Sequence, residues 1–579
     1  MCGIGGFVGQ GFSNRELAST LLHVCEKLSH RGPDARGVYI KPGVALASTR
    51  LAIRDPEKGQ QPLEKEGVLL VFNGEIYNTD ELRNRCQQTY WKTKSDTEVV
   101  LEIYRHFGED GFQMLSGMFA FAIWDEKKAC LYLVRDRWGE KPLYYTETKE
   151  GIAFASEIGG LTPWKHLNWE WDEKDLWTFL KYSYIPSPFC GWKNIQKLKP
   201  GCYLRWKQGS TELKRYHFPK IDLKQQSPET LLQTLRKAVR QCAASDKPIG
   251  AFLSGGLDSS TVVALLKEIK GTFPVYSIDW REKDYSEGSY HQSLCQSLDL
   301  PQKIVYCTPE FMTQYFDHIV SFYGEPFGDE SMIPTYCIAR QAKEEVDVVL
   351  TGDGADEFFH GYERYFFSHP TADYSDTFAP IDHPTWTLIF KKEFHYQTFR
   401  SPLDYSQEWK IGRDKTLRDR SLRDILSYLP DDILMKVDRA TMRIGLEARA
   451  PFLLPEVTDI ALCSSMDQLR ELSKMHGKKL LREAVNKIIP ETILLRKKQG
   501  FGVPLGKWFQ GDLYLWMKER LMHGALNQLG WFSKKGVEVL CQSPQKHSRA
   551  LFNLLVLESW MRKNNRLQNN LYESKFVVH

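Results

Sequence analysis

The sequence predicts a two-part fold: an α+β part built from packed sheets, then an α/β part with a parallel sheet and a helical C-terminal region. In residues 1–205, short apolar runs typical of strands outnumber the two segments of helical periodicity, Glu16–Leu28 and Thr97–Phe107. Many strands with few helices favour antiparallel sheets that carry packed helices. After about residue 249, buried-type strands alternate with helices, which indicates a parallel sheet covered on both faces. Beyond about residue 420 the pattern is mostly helical.

The individual elements follow from short apolar runs and their flanking turns. In the first part we predict strands at Gly3–Gly9, Val44–Ser48, Val68–Phe72, Met118–Trp124, Cys130–Val134 and Ile152–Ala155. In the second part we predict strands at Ile249–Leu253, Val275–Asp279, Lys303–Cys307 and Val346–Leu350, and helices at Thr261–Lys270 and Tyr290–Leu298. The region 366–415 is rich in Trp, His and Tyr, and its pattern assigns no element.

The length of 579 residues agrees with more than one domain, because a single hydrophobic core rarely serves so long a chain. We expect a first domain over residues 1–205 and a second over residues 229–579. Residues 206–228 form the predicted linker, which ends in the polar stretch Lys220–Pro228.

Composition excludes several classes of function. The net charge of +4 is small for this length and argues against a nucleic-acid or anionic-membrane surface. No apolar run approaches the roughly 20 residues that span a bilayer, and the segment after Met1 lacks the basic and apolar regions of a signal peptide. We therefore expect a cytoplasmic protein. The 12 cysteines are scattered, with no Cys-x-x-Cys pair, so neither disulfides nor zinc sites are expected.

Cys2 is the exception among these cysteines. Removal of Met1 would place a thiol and a free α-amino group on one residue, and an α-amino group with a pKa near about 8 can act as a base. Position alone is weak evidence, since a cysteine at position 2 is usually incidental. Four downstream segments change that interpretation: His30–Asp34, Ser48–Leu51, Phe72–Asn78 and Ser95–Glu98. Each also has a structural interpretation, because Asn-Gly forms hairpin turns and aspartates cap helices.

Together and in this order, these segments resemble the class II glutamine amidotransferase domain, whose fold is the N-terminal-nucleophile hydrolase sandwich (αββα). The resemblance covers about residues 1–205 and includes Arg135-Asp136, Gly139 and Lys141–Tyr145. It implies that the Cys2 thiolate attacks the side-chain amide of glutamine and that Asn73 and the Gly74 N–H stabilise the oxyanion. It implies further that glutamine is bound by Arg50 at its carboxylate and, at its other groups, by Asn73, Glu75 and Asp96.

A glycine-rich loop follows the strand Ile249–Leu253 and precedes a helix. Its sequence, Ser254-Gly255-Gly256-Leu257-Asp258-Ser259-Ser260, offers backbone N–H groups and hydroxyls for phosphate oxygens. Asp258 would repel phosphate unless a metal ion lies between them, which suggests Mg²⁺. The Gly-Lys-Ser/Thr ending of a Walker A loop is missing. A plain strand-to-helix turn is the structural alternative for this segment.

The loop resembles that of the ATP pyrophosphatases, which cleave ATP between the α- and β-phosphates. A second loop, Thr351–Glu357, also follows a buried strand, and we expect its Asp356 to supply a second Mg²⁺ ligand beside Asp258. The resemblance implies that Lys478 neutralises phosphate charge and that Asp353 takes part in catalysis. The nucleotide is expected against Leu253, Ser254, Gly255, Gly256, Asp258, Ser259, Ser260, Ile278, Thr351 and Gly352.

Both parts together resemble the asparagine synthetase family along nearly the whole chain. The resemblance implies a ligase that uses ammonia from glutamine to amidate a carboxylate activated by MgATP, with aspartate as the default acceptor. Thr351, Asp353 and His360 depart from the family's usual Ser, Glu and Gly and leave the acceptor open, since a uronic acid sugar is the alternative. A nucleotide-binding pseudoenzyme is a further alternative, which the intact site residues disfavour. The expected partners are small molecules, and the oligomeric state stays open, a homodimer included.

Overall fold

The computed structural model describes residues 1–87, 89–366, 379–400, 417–471, 476–496, 500 and 502–575. Most of the unassigned 366–415 region lies outside these ranges, and its described part contains the short helix His383–Ile389. Among the described residues, no helix is both long and apolar enough to cross a bilayer.

The first part contains two six-stranded antiparallel sheets. The strands are β1 (Cys2–Gly9), β2 (Ala35–Lys41), β3 (Val44–Arg50), β4 (Leu63–Lys65), β5 (Val68–Ile76), β6 (Gly117–Asp125), β7 (Cys130–Arg135), β8 (Tyr144–Glu147), β9 (Gly151–Ala155), β10 (Gln196–Lys197), β11 (Cys202–Lys207) and β12 (Ser210–Arg215). The orders are β10-β8-β9-β1-β3-β2 and β12-β11-β7-β6-β5-β4. The helices are α1 (Asn14–Leu28), α2 (Thr79–Arg85), α3 (Asp96–Phe107) and α4 (Glu173–Tyr182).

The two sheets pack face to face, with helices on their outer faces. Apolar residues of β1 and β3, such as Ile4 and Leu46, share one core with Val71 of β5 and Leu133 of β7. Helix α1 packs on the outside of the first sheet and α3 on the outside of the second. Alternating side chains along each strand therefore serve an inner and an outer core. The αββα sandwich predicted from the sequence is confirmed.

The second part is built on a parallel sheet of five strands in the order β15-β14-β13-β16-β17. These strands are β13 (Ile249–Phe252), β14 (Val275–Asp279), β15 (Gln302–Tyr306), β16 (Val348–Leu350) and β17 (Glu447–Arg449); a small pair is β18 (Arg470–Glu471) and β19 (His476–Gly477). The helices are α5 (Pro228–Cys242), α6 (Leu257–Lys270), α7 (Gly288–Ser297), α8 (Pro309–Tyr323), α9 (Met332–Lys343), α10 (Ala355–Phe358), α11 (His383–Ile389), α12 (Leu417–Arg423), α13 (Leu434–Met442), α14 (Pro455–Cys463), α15 (Met466–Leu469), α16 (Lys479–Val485), α17 (Glu491–Leu494), α18 (Leu505–Gln510), α19 (Tyr514–His523), α20 (Lys534–Gln542) and α21 (Ser548–Lys575).

Helices cover both faces of the parallel sheet, as the alternation predicted. Val348 and Leu350 of β16 face the core that contains α5 and α6, whereas Val349 faces the core that contains α8 and α9. Strand β17 is a departure from the expectation of a mostly helical region beyond residue 420. It pairs with β16 over only three residues, too short a run to give a strand pattern in the sequence.

The hairpin β11–β12 alters the expected boundary between the two parts. Its two strands pair from Cys202↔Arg215 to Lys207↔Ser210, and β11 also pairs with β7 of the second sheet. Residues 206–215, which the sequence placed in the linker, therefore lie in the sheet of the first part. Polar residues on an exposed edge strand, such as Ser210–Arg215, give a pattern that resembles a linker.

Buried charges join the two parts. Arg31 is fully buried and donates hydrogen bonds of 2.8 and 3.0 Å to the two carboxylate oxygens of Asp438 in α13. Lys141 lies 3.4 Å from the same carboxylate. Burial alone would raise the pKa of Asp438, but Arg31 and Lys141 hold it below its ordinary value. The Asp438 carboxylate is therefore a charged component of the interface, bound to two cations of the other part.

Replacing Asp438 with Ala should lower the free energy of unfolding by about 3–5 kcal/mol, because the buried Arg31 guanidinium loses its bidentate partner. Since the folded pKa of Asp438 is depressed, this contribution exists above about pH 4 and disappears as the pH falls further. Urea unfolding at pH 7 and at pH 3 measures both effects. Asp222→Ala, at an exposed pair with Lys224, is the matched control and should change stability by less than about 1 kcal/mol. An equal effect of the two substitutions would contradict this view of the interface.

Candidate functional site

The first site is formed by the start of β1, the end of β3 and the second half of β5. Cys2 opposes Arg50 in the β1–β3 ladder, and its backbone N–H donates to Asn73 Oδ1 at 3.0 Å. The Gln61 side-chain amide lies 3.6 Å from the Cys2 Sγ. Asn73 is completely buried, and its Nδ2 donor has no hydrogen-bond partner among the described residues. An orphan donor beside a thiol is available to an oxyanion that forms there.

The other predicted glutamine-site residues are close by, with different surroundings. The Arg50 guanidinium donates to the backbone oxygens of Arg54, Asp55 and Pro56, which leaves part of its donor set for a carboxylate. Asp96 accepts a hydrogen bond of 3.0 Å from the N–H of Ile76, the residue that ends β5. The loop carbonyls fix the orientation of Arg50 and occupy some of its N–H donors. Only part of the guanidinium therefore remains for the bidentate binding of a carboxylate that the sequence predicted.

Glu75 and Gly74 follow Asn73 on β5. The Glu75 carboxylate is buried and lies 3.2 Å from Arg54 and 3.6 Å from Arg449 of the second part. Burial raises the pKa of Glu75 to about 7, and the negative charge of Asp96 adds to the shift. Gly74 faces Phe119 across the ladder, where an added Cβ would lie 2.2 Å from the Met118 carbonyl oxygen. Only glycine fits at position 74.

Met1 occupies a buried position next to the predicted nucleophile, Cys2. Its amino group donates to Glu447 Oε2 at 2.9 Å, and its side chain packs in a cluster formed by both parts of the chain. Burial raises the pKa of the Cys2 thiol above its ordinary value, an effect that the Met1 amine opposes. The thiol therefore needs a base to become a nucleophile.

The second site is a cavity of about 460 Å³ at the carboxyl ends of β13, β14 and β16. This is the edge at which ligands bind in open α/β sheets. Of the residues that the sequence assigned to the nucleotide, the cavity is lined by Leu253, Ser254, Asp258, Ser259, Ile278, Thr351 and Gly352. The remaining three assigned residues of the loop, Gly255, Gly256 and Ser260, do not line the cavity. The first of these has a φ of +75°, which favours glycine.

Two carboxylates of the cavity wall that are predicted to bind metal, Asp258 and Asp356, converge on the Lys478 ammonium. Lys478 Nζ lies 2.6 Å from Asp258 Oδ2 and 2.5 Å from Asp356 Oδ1. Lys478 adopts a left-handed conformation with a φ of +60°, which aims its side chain between the two loops. Next to it, an added Cβ at Gly361 would lie 1.9 Å from Asp356 Oδ1 and 2.2 Å from Lys478 Cε. The sequence placed these residues on three separate segments, and the structure brings them together.

The donor set fits a Mg²⁺ ion that is bound together with a nucleotide. Magnesium is commonly held by one or two carboxylates plus substrate phosphates and water. The described residues contain no group of three or more His, Cys, Asp or Glu placed to hold a metal without such help. Asp258 and Asp356 would therefore hold Mg²⁺ against phosphate oxygens, and the ion would supply charge neutralisation there.

Sequence reasoning missed several residues of the cavity. Its far wall contains Asp329 and Lys436, joined by a 3.0 Å ion pair, and Arg364, Tyr362 and Tyr428. They come from separate segments of the chain, the first and last of which are more than 100 positions apart, and no local pattern marks them.

Two of the three residues that depart from the family pattern, Asp353 and His360, have different surroundings. Asp353 lines the cavity, as expected for a residue near the acceptor. His360 does not line it, which corrects the expectation that it lies at the acceptor. Its ring is buried against Tyr365 with the centroids 5.1 Å apart, and burial lowers its pKa to about 3. The neutral His360 ring is a packing residue of the loop.

Comparison with known proteins agrees with this pair of sites. The model of the glutamine amidotransferase domain matches residues 1–217, and the asparagine synthase model matches residues 230–562. The glutamine-hydrolyzing asparagine synthetase 1 of Bacillus subtilis (strain 168) is 30% identical over 97% of this chain and 96% of its own. A putative glutamine-hydrolyzing asparagine synthetase of Mycobacterium tuberculosis (strain ATCC 25618 / H37Rv) is 28% identical and covers 97% of both chains.

The fold and the two sites define a glutamine-dependent amidotransferase, a carbon–nitrogen ligase that takes its nitrogen from glutamine. Plants contain a relative as well, since the glutamine-hydrolyzing asparagine synthetase of Asparagus officinalis is 28% identical over 88% of this chain and 79% of its own. The chain belongs to the asparagine synthase family.

Gly361→Ala should reduce ammonia-driven synthesis by about 100-fold or more, because the methyl group displaces Asp356 and Lys478 by roughly 1 Å. Glutamine hydrolysis at the first site should persist. Pyrophosphate release and glutamate release, assayed separately, measure the two effects. Gly159→Ala is the matched control, since nothing lies within 4 Å of its added Cβ. Unimpaired synthesis by the Gly361 variant would contradict the geometry described for Lys478.

Proposed function

We propose that this protein transfers the amide nitrogen of glutamine to a carboxylate that MgATP has activated as an acyl-adenylate, converting aspartate to asparagine. The convergence of Asp258, Asp356 and Lys478 on the rim of a cavity of about 460 Å³ carries this proposal. Two domains carry out this reaction. The first is the sandwich, which the hairpin extends from the predicted range 1–205 to residue 215, and the second is formed by residues 229–579.

The first step is the release of ammonia. Removal of Met1 frees the Cys2 amino group, which Asn73 Oδ1 holds at the position of the present 3.0 Å contact. This amine takes the thiol proton, and the thiolate attacks the glutamine amide carbon. The C–N bond then breaks, ammonia leaves with the proton held by the amine, and water hydrolyses the resulting thioester to glutamate and free Cys2. Asn73 Nδ2 and the Gly74 N–H stabilise the oxyanion; loss of one such donor typically costs about 100–1,000-fold in rate. Glutamine itself is held by the free donors of Arg50 and by Glu75 and Asp96.

The second step is activation of the acceptor. Its carboxylate attacks the α-phosphorus of ATP, and pyrophosphate leaves with the electron pair. The Ser254–Ser260 loop and Thr351-Gly352 hold the phosphates through N–H and hydroxyl groups. Lys478 supplies positive charge where the pyrophosphate departs. Asp258 and Asp356 would hold Mg²⁺, which would supply charge neutralisation at the phosphates.

The third step joins the two sites. Ammonia is nucleophilic only when neutral, and in water near pH 7 it is mostly ammonium, so an enclosed apolar route preserves it. The cluster around Met1 combines Leu51 and Met118 of the first part with Leu434 and Ala450 of the second. This buried apolar contact supports passage of neutral ammonia from the Cys2 side to the cavity.

The charged and aromatic residues of the large cavity bear on the identity of the acceptor. Aspartate carries both charges, and the cavity offers Lys436 and Arg549 as well as Asp329 and Glu330 to match them. Asp353 is one methylene shorter than glutamate, which withdraws its carboxylate by about 1.5 Å. That gap, together with Tyr182, Tyr362 and Tyr428 in the lining, favours a nucleotide-linked uronic acid as the second candidate.

Cys2→Ala should abolish glutamine-dependent synthesis but leave ammonia-dependent synthesis within about threefold of the wild type, because the two chemistries use separate sites. Retention of extra residues before Cys2 should have the same effect, since the α-amino base is lost. Amide formation with glutamine and with ammonium chloride is the measurement. Cys25→Ala, on the outer face of the sandwich, is the matched cysteine control. Loss of both activities in a folded Cys2 variant would contradict the two-site proposal.

Steady-state kinetics with ammonia should give AMP and pyrophosphate in equal amounts with the true acceptor. With aspartate we expect a robust kcat/KM that falls by about 100-fold in Asp353→Ala. Pyrophosphate release with a nucleotide-linked uronic acid, and none with aspartate, would replace aspartate by the second candidate. ADP and phosphate as the stoichiometric products would contradict the proposed chemistry altogether.

A further inference from the structure

A small cavity lies at the junction of the two parts, beside the large one. Its volume is about 20 Å³, and its wall is contributed by Glu140, Lys141, Thr351, Asp353, Leu434, Val437, Asp438, Ala448 and Ala450. Since a cavity of about 10–15 Å³ holds one water molecule, this one has room for a single molecule of that size. Ammonia has the size of water.

The small cavity is continuous with both neighbouring features of the site. It shares Thr351, Asp353 and Val437 with the large cavity. It shares Leu434 and Ala450 with the apolar cluster that surrounds Met1. It therefore borders both the large cavity and the apolar cluster that contains Met1.

Thr351 provides an independent sign of a missing ligand. Its side chain is 5% exposed, and its Oγ1 has no hydrogen-bond partner among the described residues. An unsatisfied buried hydroxyl costs about 1–3 kcal/mol, so a small polar ligand in the adjoining cavity would stabilise it. Both cavities reach this residue.

Glu140 brings a carboxyl group of the first part to this wall. Burial raises the pKa of Glu140 well above its ordinary value; Asp136 and Asp353 add to the shift, whereas Lys141 opposes it. Glu140 also lines a neighbouring cavity of about 10 Å³, where the facing charged groups are Arg135, Lys197, Asp431, Asp438 and Arg439. Lys197 is paired with Glu325 and Asp431, and Arg439 is paired with Glu157.

We propose that this small cavity is the docking site of the ammonia that attacks the activated acceptor, and that Glu140 sets its selectivity for ammonia. The inference rests on the proposed function. Ammonia donates its N–H groups to Thr351 Oγ1 and to carboxyl oxygens of Glu140 and Asp353, and its lone pair faces the large cavity. The C–N bond forms as the acyl–oxygen bond to phosphate breaks. AMP leaves with that electron pair, and the proton released by nitrogen passes to a carboxylate of the site.

Glu140→Ala tests the size of the cavity. Removing the side chain beyond Cβ makes room for a methyl group, so methylamine should become a substrate. We expect the ratio of kcat/KM for methylamine to that for ammonia to rise by about 10-fold or more. Closely fitting pockets typically discriminate by at least this factor between substrates that differ by one carbon. Glu140→Gln keeps the volume and replaces one carboxyl oxygen by an NH₂ group, which cannot accept an N–H from ammonia. It should raise the KM for ammonia severalfold and leave methylamine excluded.

Two further readouts separate this inference from a structural role. Pyrophosphate release without a nitrogen donor and glutamate release from glutamine should both stay unchanged in the two variants. Glu147→Gln, at an exposed position on β8, should match the wild type in every assay. An unchanged methylamine-to-ammonia ratio in Glu140→Ala, together with an unchanged ammonia KM in Glu140→Gln, would overturn the inference. A wild-type enzyme that forms no amide from ammonia and either acceptor would instead overturn the proposed function.

Discussion

The buried ion pair between Arg31 and Asp438 is the contact on which the arrangement of both sites depends. Arg31 Nε also donates to the backbone oxygen of Cys2 at 3.2 Å, and its other nitrogens bind Asp438 and Glu157. A guanidinium without access to water requires such anions, because an unpaired buried charge is strongly destabilising. One side chain therefore fixes the start of β1 in the sandwich against α13 of the second part.

The same contact fixes the position of Cys2 relative to the large cavity. Asp438 follows Val437 and Lys436, which line the large cavity, and is itself part of the wall of the small one. Movement of the sandwich away from α13 would open the small cavity to water and expose Arg31 at the same time. Such a movement therefore carries the energetic cost of exposing a buried charge pair.

Much of the fold and both local motifs could be predicted from the sequence because they depend on neighbours in the chain. The loop after β13 combines a buried strand, glycines and a helix start within a dozen residues, and Cys2 is followed by a recognisable order of segments. The contacts of Glu140 and Lys436 could not be predicted, since each meets partners from another part of the chain. The hairpin β11–β12 was taken for a linker because its edge strand is polar. His360 was misplaced because a departure from a family pattern does not show which way a side chain points.

The central claim is that glutamine nitrogen reaches the acceptor without mixing with bulk solvent, and an isotope competition tests it most directly. The enzyme would turn over glutamine labelled with ¹⁵N in its amide, with MgATP and the acceptor, in the presence of unlabelled ammonium chloride. Mass spectrometry of the amide product gives its ¹⁵N content. The account predicts a product far richer in ¹⁵N than the ammonia in solution. A product whose ¹⁵N content equals that of the dissolved ammonia would contradict it.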